Sequence, residues 1–165
     1  MSITQPDLTR IKTFVLDVDG VLTDGLLYSF ADGEQVRSFN IKDGFAIKHA
    51  INQGYRIAII SGKNESGVRN RLEQLGIEDI FLGIEDKVDT FEDYLYMQSV
   101  HPGTVAYMGD DMPDFEVMQR CGVRACPADA ADDIKEIATF ISTKDGGRGA
   151  VRELIEKTMK AQDTW

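Results

Sequence analysis

The sequence predicts an α/β fold in which a doubly wound parallel sheet is covered by helices on both faces. Short apolar runs of strand length alternate along the chain with amphipathic segments of helix length, an order typical of right-handed βαβ units. The chain has 165 residues, enough for one domain with a proper core and short for two. The sequence shows no internal repeat, low-complexity tract or linker, so residues 1–165 are predicted to form a single Rossmann-like domain.

The predicted strands are apolar runs of five or six residues, rich in β-branched and aromatic side chains. Such continuous apolar runs are typical of strands that are buried on both faces of a parallel sheet. Residues 26–39 differ, because two β-prone runs flank Asp32-Gly33, a strong turn dipeptide, and predict a β-hairpin insertion. The sheet strands are predicted over residues 11–16, 55–60, 79–83, 104–109, 123–127 and 138–142.

The predicted helices carry apolar side chains at spacings of three and four residues. In the helix after the second strand, Val68, Leu72 and Leu75 follow this spacing. In the first helix the pattern ends at Gly54, a residue type that commonly terminates helices. The helices are predicted over residues 43–54, 64–76, 85–98, 112–122, 130–137 and 149–162.

The charge balance limits the kinds of partner. There are 18 Lys and Arg against 28 Asp and Glu, a formal net charge of −10. An acidic chain argues against general binding to nucleic acids or to anionic membranes, both of which need a basic face. No apolar run approaches the roughly 20 residues of a membrane helix, and the first twelve residues lack the apolar core of a signal peptide. With Cys121 and Cys126 interpreted as reduced thiols, a cytoplasmic protein is expected.

Polar side chains follow four of the predicted strands, at the point where each strand ends. In a doubly wound sheet, ligands bind beyond the carboxyl ends of the strands, so these side chains should meet at one edge. The opposite strand ends carry no comparable cluster. The residues that follow the four strands are Asp17 and Asp19; Ser61, Gly62 and Lys63; Lys87; and Asp110, Asp111 and Asp114.

Several carboxylates converging on one edge repel each other unless a cation lies among them. Carboxylate oxygens suit Mg²⁺, and a hydroxyl (Ser61) with an ammonium (Lys87) completes a site for a phosphoryl group. One Asp can attack phosphorus as a nucleophile, and a second Asp two residues on can protonate the leaving oxygen and then activate water. Taken singly, Asp24, Asp32 and Asp114 are explained equally well as turn-forming residues.

The motifs at the strand ends resemble the signatures of the haloacid dehalogenase-like phosphotransferases. Residues 17–25, DVDGVLTDG, resemble the first signature, Ser61 the second, Lys87 the third, and residues 109–114, GDDMPD, the fourth. The resemblance implies a Mg²⁺-dependent phosphatase on a Rossmann-like fold. Larger members insert a further domain after the first motif or after the second strand. Here only a short hairpin and one helix–strand unit occupy these places, so no cap domain is expected.

The resemblance implies a role for each matching residue. Asp17 would be the nucleophile that forms an aspartyl-phosphate. Asp19 would be the general acid and base, with its backbone carbonyl on Mg²⁺. Asp17 and Asp110 would also contact Mg²⁺, and Ser61 and Lys87 would hold the phosphoryl oxygens. Three further residues would support the loop and the metal site from outside, namely Thr23, Asp111 and Asp114.

A closer resemblance is to the phosphatases of 3-deoxy-D-manno-octulosonate 8-phosphate, a sugar acid phosphate of lipopolysaccharide synthesis. It rests on residues 39–48, FNIKDGFAIK; 61–77, SGKNESGVRNRLEQLGI; 83–88, GIEDKV; and 146–156, GGRGAVRELIE. It implies a homotetramer in which the hairpins form a barrel and the tail, residues 146–165, closes a neighbour's site. It implies contacts to substrate from Asp19 and Lys87 and from Asn40, Ile41, Lys42, Asp43, Gly44, Lys48, Gly62, Lys63 and Arg71.

Other functions remain open at this stage. Lys42, Lys48 and Lys63 stand where Arg is expected, and Lys grips a carboxylate less specifically than Arg. The rival substrate is the nine-carbon 2-keto-3-deoxy-nononate 9-phosphate, for which an acidic residue is expected at position 63. A signalling receiver domain also carries a phospho-accepting Asp, but after its third strand rather than its first. A catalytically silent scaffold is the third alternative.

Overall fold

The computed structural model describes residues 5–165 and contains a six-stranded sheet. All neighbouring strands pair in parallel, in the order β5-β4-β1-β6-β7-β8. The sheet strands are β1 (Thr13–Leu16), β4 (Arg56–Ile60), β5 (Asp79–Phe81), β6 (Val105–Met108), β7 (Val123–Cys126) and β8 (Phe140–Ile141). The predicted doubly wound α/β fold is confirmed.

The sheet is buried on both faces. Consecutive residues of its central strand point to opposite sides, so each face receives apolar side chains from that strand. Phe14 and Leu16 of β1 lie in one apolar cluster, and Val15 lies in the other. Helices α1, α2 and α6 cover the first face, and α3, α4 and α5 cover the second. Their bounds are α1 (Ile41–Asn52), α2 (Ser66–Gln74), α3 (Lys87–Gln98), α4 (Phe115–Met118), α5 (Asp132–Ile137) and α6 (Ala150–Ala161).

The predicted hairpin forms a separate two-stranded ribbon between β1 and α1. Strands β2 (Tyr28–Ser29) and β3 (Gln35–Val36) pair antiparallel, with Gly33 at positive φ in the turn. The predicted turn residues are therefore at the tip, and the ordered ribbon is shorter than residues 26–39. Several apolar side chains of this segment are exposed, namely Leu26, Leu27, Tyr28, Phe30 and Val36.

All six helices differ from their predicted bounds, five of them by at most two residues at either end. Helix α1 begins two residues before the predicted start at 43, because the Asn40 side chain accepts hydrogen bonds from the Lys42 and Asp43 amides and caps it. The helix predicted over 112–122 is mostly a turn: Met112–Asp114 is a 3-10 turn that begins at the Asp111 cap, and α4 has only four residues. The chain must turn there so that β7 can start at Val123.

The C-terminal helix is part of the core of its own subunit. The predicted stripe of α6 (Val151, Leu154, Ile155, Met159) is fully buried, mainly against α1. Beyond α6, the Trp165 ring makes edge contacts with Phe45 and His49. One face of helix α6 therefore packs inside its own chain, and the closing of a neighbour's site by residues 146–165 stays a prediction.

None of the helices within residues 5–165 is long and apolar enough to span a membrane.

Candidate active site

The candidate site lies where the strand order reverses, at the carboxyl ends of β1 and β6. Asp17 follows β1, and Asp110 and Asp114 follow β6. Among the residues described, these three carboxylates form a group in which one oxygen from each lies within 4.8 Å of the others. A switch point between parallel strands is the usual position of a ligand site in such sheets.

Lys87 is the buried cation of this cluster. Its Nζ lies 2.9 Å from an Asp17 oxygen and 2.8 Å from Asp114 Oδ1. The lysine is the first residue of α3, so the start of that helix places its side chain against the ends of β1 and β6. Burial lowers the pKa of Lys87, but the Asp114 and Asp17 carboxylates outweigh burial and raise it. The ammonium therefore stays charged.

Asp114 holds the cluster together. Besides Lys87, its Oδ1 accepts a 2.8 Å hydrogen bond from the Tyr107 hydroxyl, and its Oδ2 accepts a 3.1 Å bond from the Asp110 amide. The side chain is fully buried. Asp114 thus binds Lys87 directly, a closer role than the outside support predicted for it. Tyr107, in the middle of an apolar strand, carried no signal for this site.

Hydrogen bonds from backbone amides to two side chains hold the loop after Asp17 in place. The Asp17 carboxylate accepts a 2.7 Å hydrogen bond from the Val18 amide, and the buried Thr23 hydroxyl accepts from the Gly20 and Gly25 amides at 3.2 Å. Gly20 has φ +80°, and a Cβ there would lie 1.9 Å from an Asp110 oxygen. The Thr23 hydroxyl therefore bridges two amides of this loop, and only glycine fits between the loop and Asp110.

The carboxylate group has the electrostatics of a cation site. Burial, together with the Asp114 charge and against the pull of Lys87, raises the pKa of Asp17 to about 8. Burial and the charges of Asp114 and Asp111 raise the pKa of Asp110 to about 7. One lysine does not neutralise three carboxylates, and their oxygens are the hard ligands that Mg²⁺ prefers. The residues present therefore fit a magnesium ion, and Asp17 and Asp110 remain its predicted carboxylate contacts.

Asp19 lies outside this carboxylate group and is bound by Arg37, an arginine that belongs to none of the four motifs. Its two oxygens accept from Arg37 Nε at 2.6 Å and from Arg37 Nη2 at 3.3 Å. Arg37 Nη1 bonds Glu65. The pair joins the hairpin to the first motif across 18 residues. No local pattern reveals a contact of this kind.

The second motif lies at the same edge of the sheet. Ser61 is buried directly after β4, the neighbour of β1, and its backbone bonds Phe81 and Ile84. Gly62 and Lys63 follow it and are exposed. A cleft of about 560 Å³ opens between the hairpin and α2, and its charged lining residues are Glu34, Arg37, Glu65 and Arg71.

The predicted sugar contacts on and beside α1 and α2 have different surroundings. Arg71 lies over the start of α1, so close that a Cβ on Gly44 would lie 2.8 Å from Arg71 Nη2. Ile41, Lys42 and Lys48 are exposed, whereas the Asn40 side chain is engaged in capping α1.

Asp43 is a buried contact between two helices. Its side chain is 1% exposed, and its Oδ1 accepts a 2.9 Å hydrogen bond from the Arg152 amide in the first turn of α6. The residue before that helix is Gly149, which has no side chain with which to cap it. Asp43 therefore caps α6 from another helix, and the sugar contact predicted for this residue stays a prediction.

The remaining acidic residues have local roles. Asp24 Oδ1 accepts a hydrogen bond from the Leu26 amide, and Asp24 Oδ2 lies 3.7 Å from Arg148 Nη2. Asp32 accepts a hydrogen bond from the Glu34 amide in the hairpin turn. Asp111 is exposed and caps the turn that leads to Asp114. For Asp24 and Asp32, turn formation is the explanation that the structure supports.

The sequence matches the family described as haloacid dehalogenase-like hydrolase over residues 44–128. The 3-deoxy-D-manno-octulosonate 8-phosphate phosphatase KdsC of Escherichia coli K12 is 39% identical over 153 residues, which are 93% of this chain and 81% of that protein. The chain belongs to the haloacid dehalogenase-like hydrolase family. The predicted resemblance is confirmed.

Solved structures of related hydrolases share the whole fold. The 3-deoxy-D-manno-octulosonate 8-phosphate phosphatase of Yersinia pestis has a TM-score of 0.93 and 36% identity, covering 95% of this chain and 85% of that one. That of Moraxella catarrhalis, in complex with a magnesium ion, a phosphate ion and a KDO molecule, has a TM-score of 0.91 and 32% identity, covering 94% and 90%. The prediction of a phosphatase of this superfamily that uses Mg²⁺ is confirmed by these relatives and by the carboxylate group.

Substituting Gly146 should damage this hydrolase by moving the loop that follows Asp17. A Cβ on Gly146 would lie 1.8 Å from the Gly20 carbonyl oxygen, and one on Gly122, away from the site, would lie 2.2 Å from the Gly103 carbonyl oxygen. Both Gly→Ala variants should lose about 1–3 kcal/mol of unfolding free energy. Only Gly146→Ala should also lose phosphatase activity, by about tenfold or more, because the Asp17 loop shifts. Equal activity losses, measured alongside urea unfolding, would refute a specific effect on the loop.

The carboxylate group also predicts a pH-dependent response to Mg²⁺. The raised pKa values of about 8 for Asp17 and about 7 for Asp110 mean that the folded, metal-free chain binds more protons than the unfolded chain. These two groups therefore make the unfolding free energy fall as the pH rises from about 4 to about 8. Since Mg²⁺ binds the ionised carboxylates, it should raise the melting temperature more at pH 8 than at pH 5.

Two Asp→Asn variants test this response, one at a predicted ligand and one at a control position. Asp110→Asn should lose most of the Mg²⁺-induced rise at pH 8, whereas Asp93→Asn, an exposed position on α3, should keep it. A rise of the same size at both pH values, or one that persists in Asp110→Asn, would contradict the assigned ligands.

Proposed function

We propose that this chain is a Mg²⁺-dependent phosphatase that hydrolyses 3-deoxy-D-manno-octulosonate 8-phosphate to the free sugar acid and phosphate. The observation that carries the proposal is the position of Asp17, whose carboxylate is buried among Lys87, Asp110 and Asp114 at the switch point of the sheet. A carboxylate between a buried ammonium and a cation site is suited to attack an anionic phosphoryl group. The substrate is inferred from the relatives described above.

The proposed reaction proceeds in two steps. In the first, an Asp17 oxygen attacks phosphorus, the bond to the sugar oxygen breaks, and Asp19 gives that oxygen a proton, which leaves an aspartyl-phosphate. In the second, Asp19 takes a proton from water, whose oxygen attacks phosphorus, and phosphate leaves Asp17. Ser61 and Lys87 hold the phosphoryl oxygens throughout. When bound, Mg²⁺ supplies positive charge that offsets the phosphoryl and carboxylate charges, held by Asp17, Asp110 and the Asp19 backbone carbonyl.

The sugar end is assigned to the cleft between the hairpin and α2. Arg71 lines this cleft and offers a planar guanidinium to the substrate carboxylate, and the exposed Lys63 adds a second cation at the mouth of the site. The cation at position 63 supports the eight-carbon over the nine-carbon substrate. Gly62 and the exposed residues at the start of α1 (Ile41, Lys42) and along it (Lys48) complete the proposed contact surface.

The receiver-domain alternative is less well supported. The proposed phospho-accepting Asp17 follows the first strand, and Asp19 stands two residues from it, where it can catalyse hydrolysis of the acyl phosphate. The scaffold alternative also loses support, because the nucleophile, lysine and carboxylate positions of all four motifs are filled.

We further infer a homotetramer in the cytoplasm that serves lipopolysaccharide sugar synthesis. The exposed apolar side chains of the hairpin support assembly, because several such side chains on one small ribbon favour burial against other copies. Two free, buried cysteines, Cys121 and Cys126, suit a reducing compartment. The tail around Arg148 remains the proposed lid of a neighbouring site.

Phosphate release from the eight-carbon and the nine-carbon sugar acid phosphates, measured side by side with Mg²⁺, tests the proposed function. The eight-carbon substrate should be preferred, and Asp17→Asn should reduce its turnover at least about a thousandfold. Asp93→Asn is the matched control and should retain wild-type rates. Preference for the nine-carbon substrate would overturn the substrate assignment but keep the mechanism. Substantial turnover by Asp17→Asn would overturn the assignment of Asp17 as the nucleophile.

A further inference from the structure

Arg37 is the feature of this site that the four motifs leave unexplained. It directly follows β3 of the hairpin, yet its side chain is only 1% exposed and reaches the loop after β1. All three guanidinium nitrogens are engaged: Nε and Nη2 donate to the two oxygens of Asp19, and Nη1 donates to Glu65. A guanidinium that spans two carboxylates in this way has a fixed plane.

Glu65 occupies a position that would otherwise serve its own helix. It is the residue before the first turn of α2, where a side chain normally accepts a hydrogen bond from that turn, but its carboxylate makes no such bond. The carboxylate instead holds Arg37. The Glu65 carboxylate thus serves a contact with a residue of the hairpin rather than the start of its own helix.

The contact matters because Asp19 would otherwise be free to rotate. Its side chain is 33% exposed, and Arg37 is the partner that fixes both of its oxygens. A group that donates a proton to one oxygen and later takes one from water must keep its carboxylate aimed at the reacting phosphorus. Arginine cannot exchange protons itself at neutral pH, so its contribution is orientation and fixed charge.

Building on the proposed function, we propose that Arg37 is a positioning residue that holds Asp19 in place for proton transfer, and that Glu65 in turn holds Arg37. The hairpin thereby contributes to catalysis from its base, in addition to presenting apolar side chains at its surface. Because Asp19 and Glu65 engage every Arg37 nitrogen, the proposal predicts a loss in proton transfer rather than a loss in substrate binding.

Two leaving groups of different basicity test this proposal. A sugar alkoxide needs a proton from Asp19 to leave, whereas p-nitrophenolate is a weak base that leaves without one. In Arg37→Gln, kcat/KM for 3-deoxy-D-manno-octulosonate 8-phosphate should fall about tenfold or more, within the range that general acid catalysis supplies. For p-nitrophenyl phosphate, kcat/KM should fall less than about threefold, because this ratio reports the first, phosphorylating step and little proton transfer is lost there.

The other variants separate positioning from a general structural effect. Arg120→Gln makes the same change in an exposed ion pair with Glu92 and should leave both substrates at wild-type values. Arg37→Lys keeps the charge and should recover part of the loss. Glu65→Gln keeps Arg37 in the chain, so it remains informative if Arg37→Gln folds poorly, and it should show a smaller loss with the same substrate selectivity.

The outcomes are distinct from those of the proposed function. Equal falls in kcat/KM for the two phosphates, wild-type values for both, or a rise in KM alone would each overturn the positioning role of Arg37. Failure of the proposed function would appear as turnover by Asp17→Asn or as a preference for the nine-carbon phosphate, whereas failure of the Arg37 proposal appears in the kinetics of Arg37→Gln while Asp17→Asn stays inactive.

Discussion

The structure depends on the charge balance around Asp17, where buried carboxylates from two strands meet one buried lysine. Like charges in a shielded site repel, and each carboxylate is stable there only with a cation or a proton. Lys87 partly provides that cation through its contacts with Asp17 and Asp114. The remaining negative charge makes the site suitable for binding a divalent cation. The loop geometry follows from this requirement, since only a glycine at position 20 lets the first motif approach Asp110.

The fold and the centre of the site could be predicted because both depend on local sequence. Continuous apolar runs identify buried parallel strands, and the residue that follows each strand must lie at the carboxyl edge of the sheet. Asp17, Lys87 and Asp110 are all fixed in this way by their elements, so their convergence needs no knowledge of distant contacts. The hairpin is likewise predictable from local sequence, because Asp32-Gly33 determines its turn.

The contacts that connect separate elements could not be predicted from the sequence. Arg37 reaches Asp19 across 18 residues and Glu65 across 28, and Asp43 caps α6 across 109. Asp114 has the spacing of an ordinary turn residue, although burial beside Tyr107 makes it the partner of Lys87. In each case the side chain's role is set by tertiary packing, which places a polar group where only one partner can satisfy it.

The most direct test of the central claim is a crystal structure of the chain with Mg²⁺ and beryllium fluoride, which mimics a phosphoryl group on a carboxylate. The account predicts a trifluoroberyllate bonded to an Asp17 oxygen, contacted by Lys87 and Ser61, with Mg²⁺ between Asp17 and Asp110. A trifluoroberyllate on another carboxylate, or a magnesium ion bound away from Asp110, would contradict it.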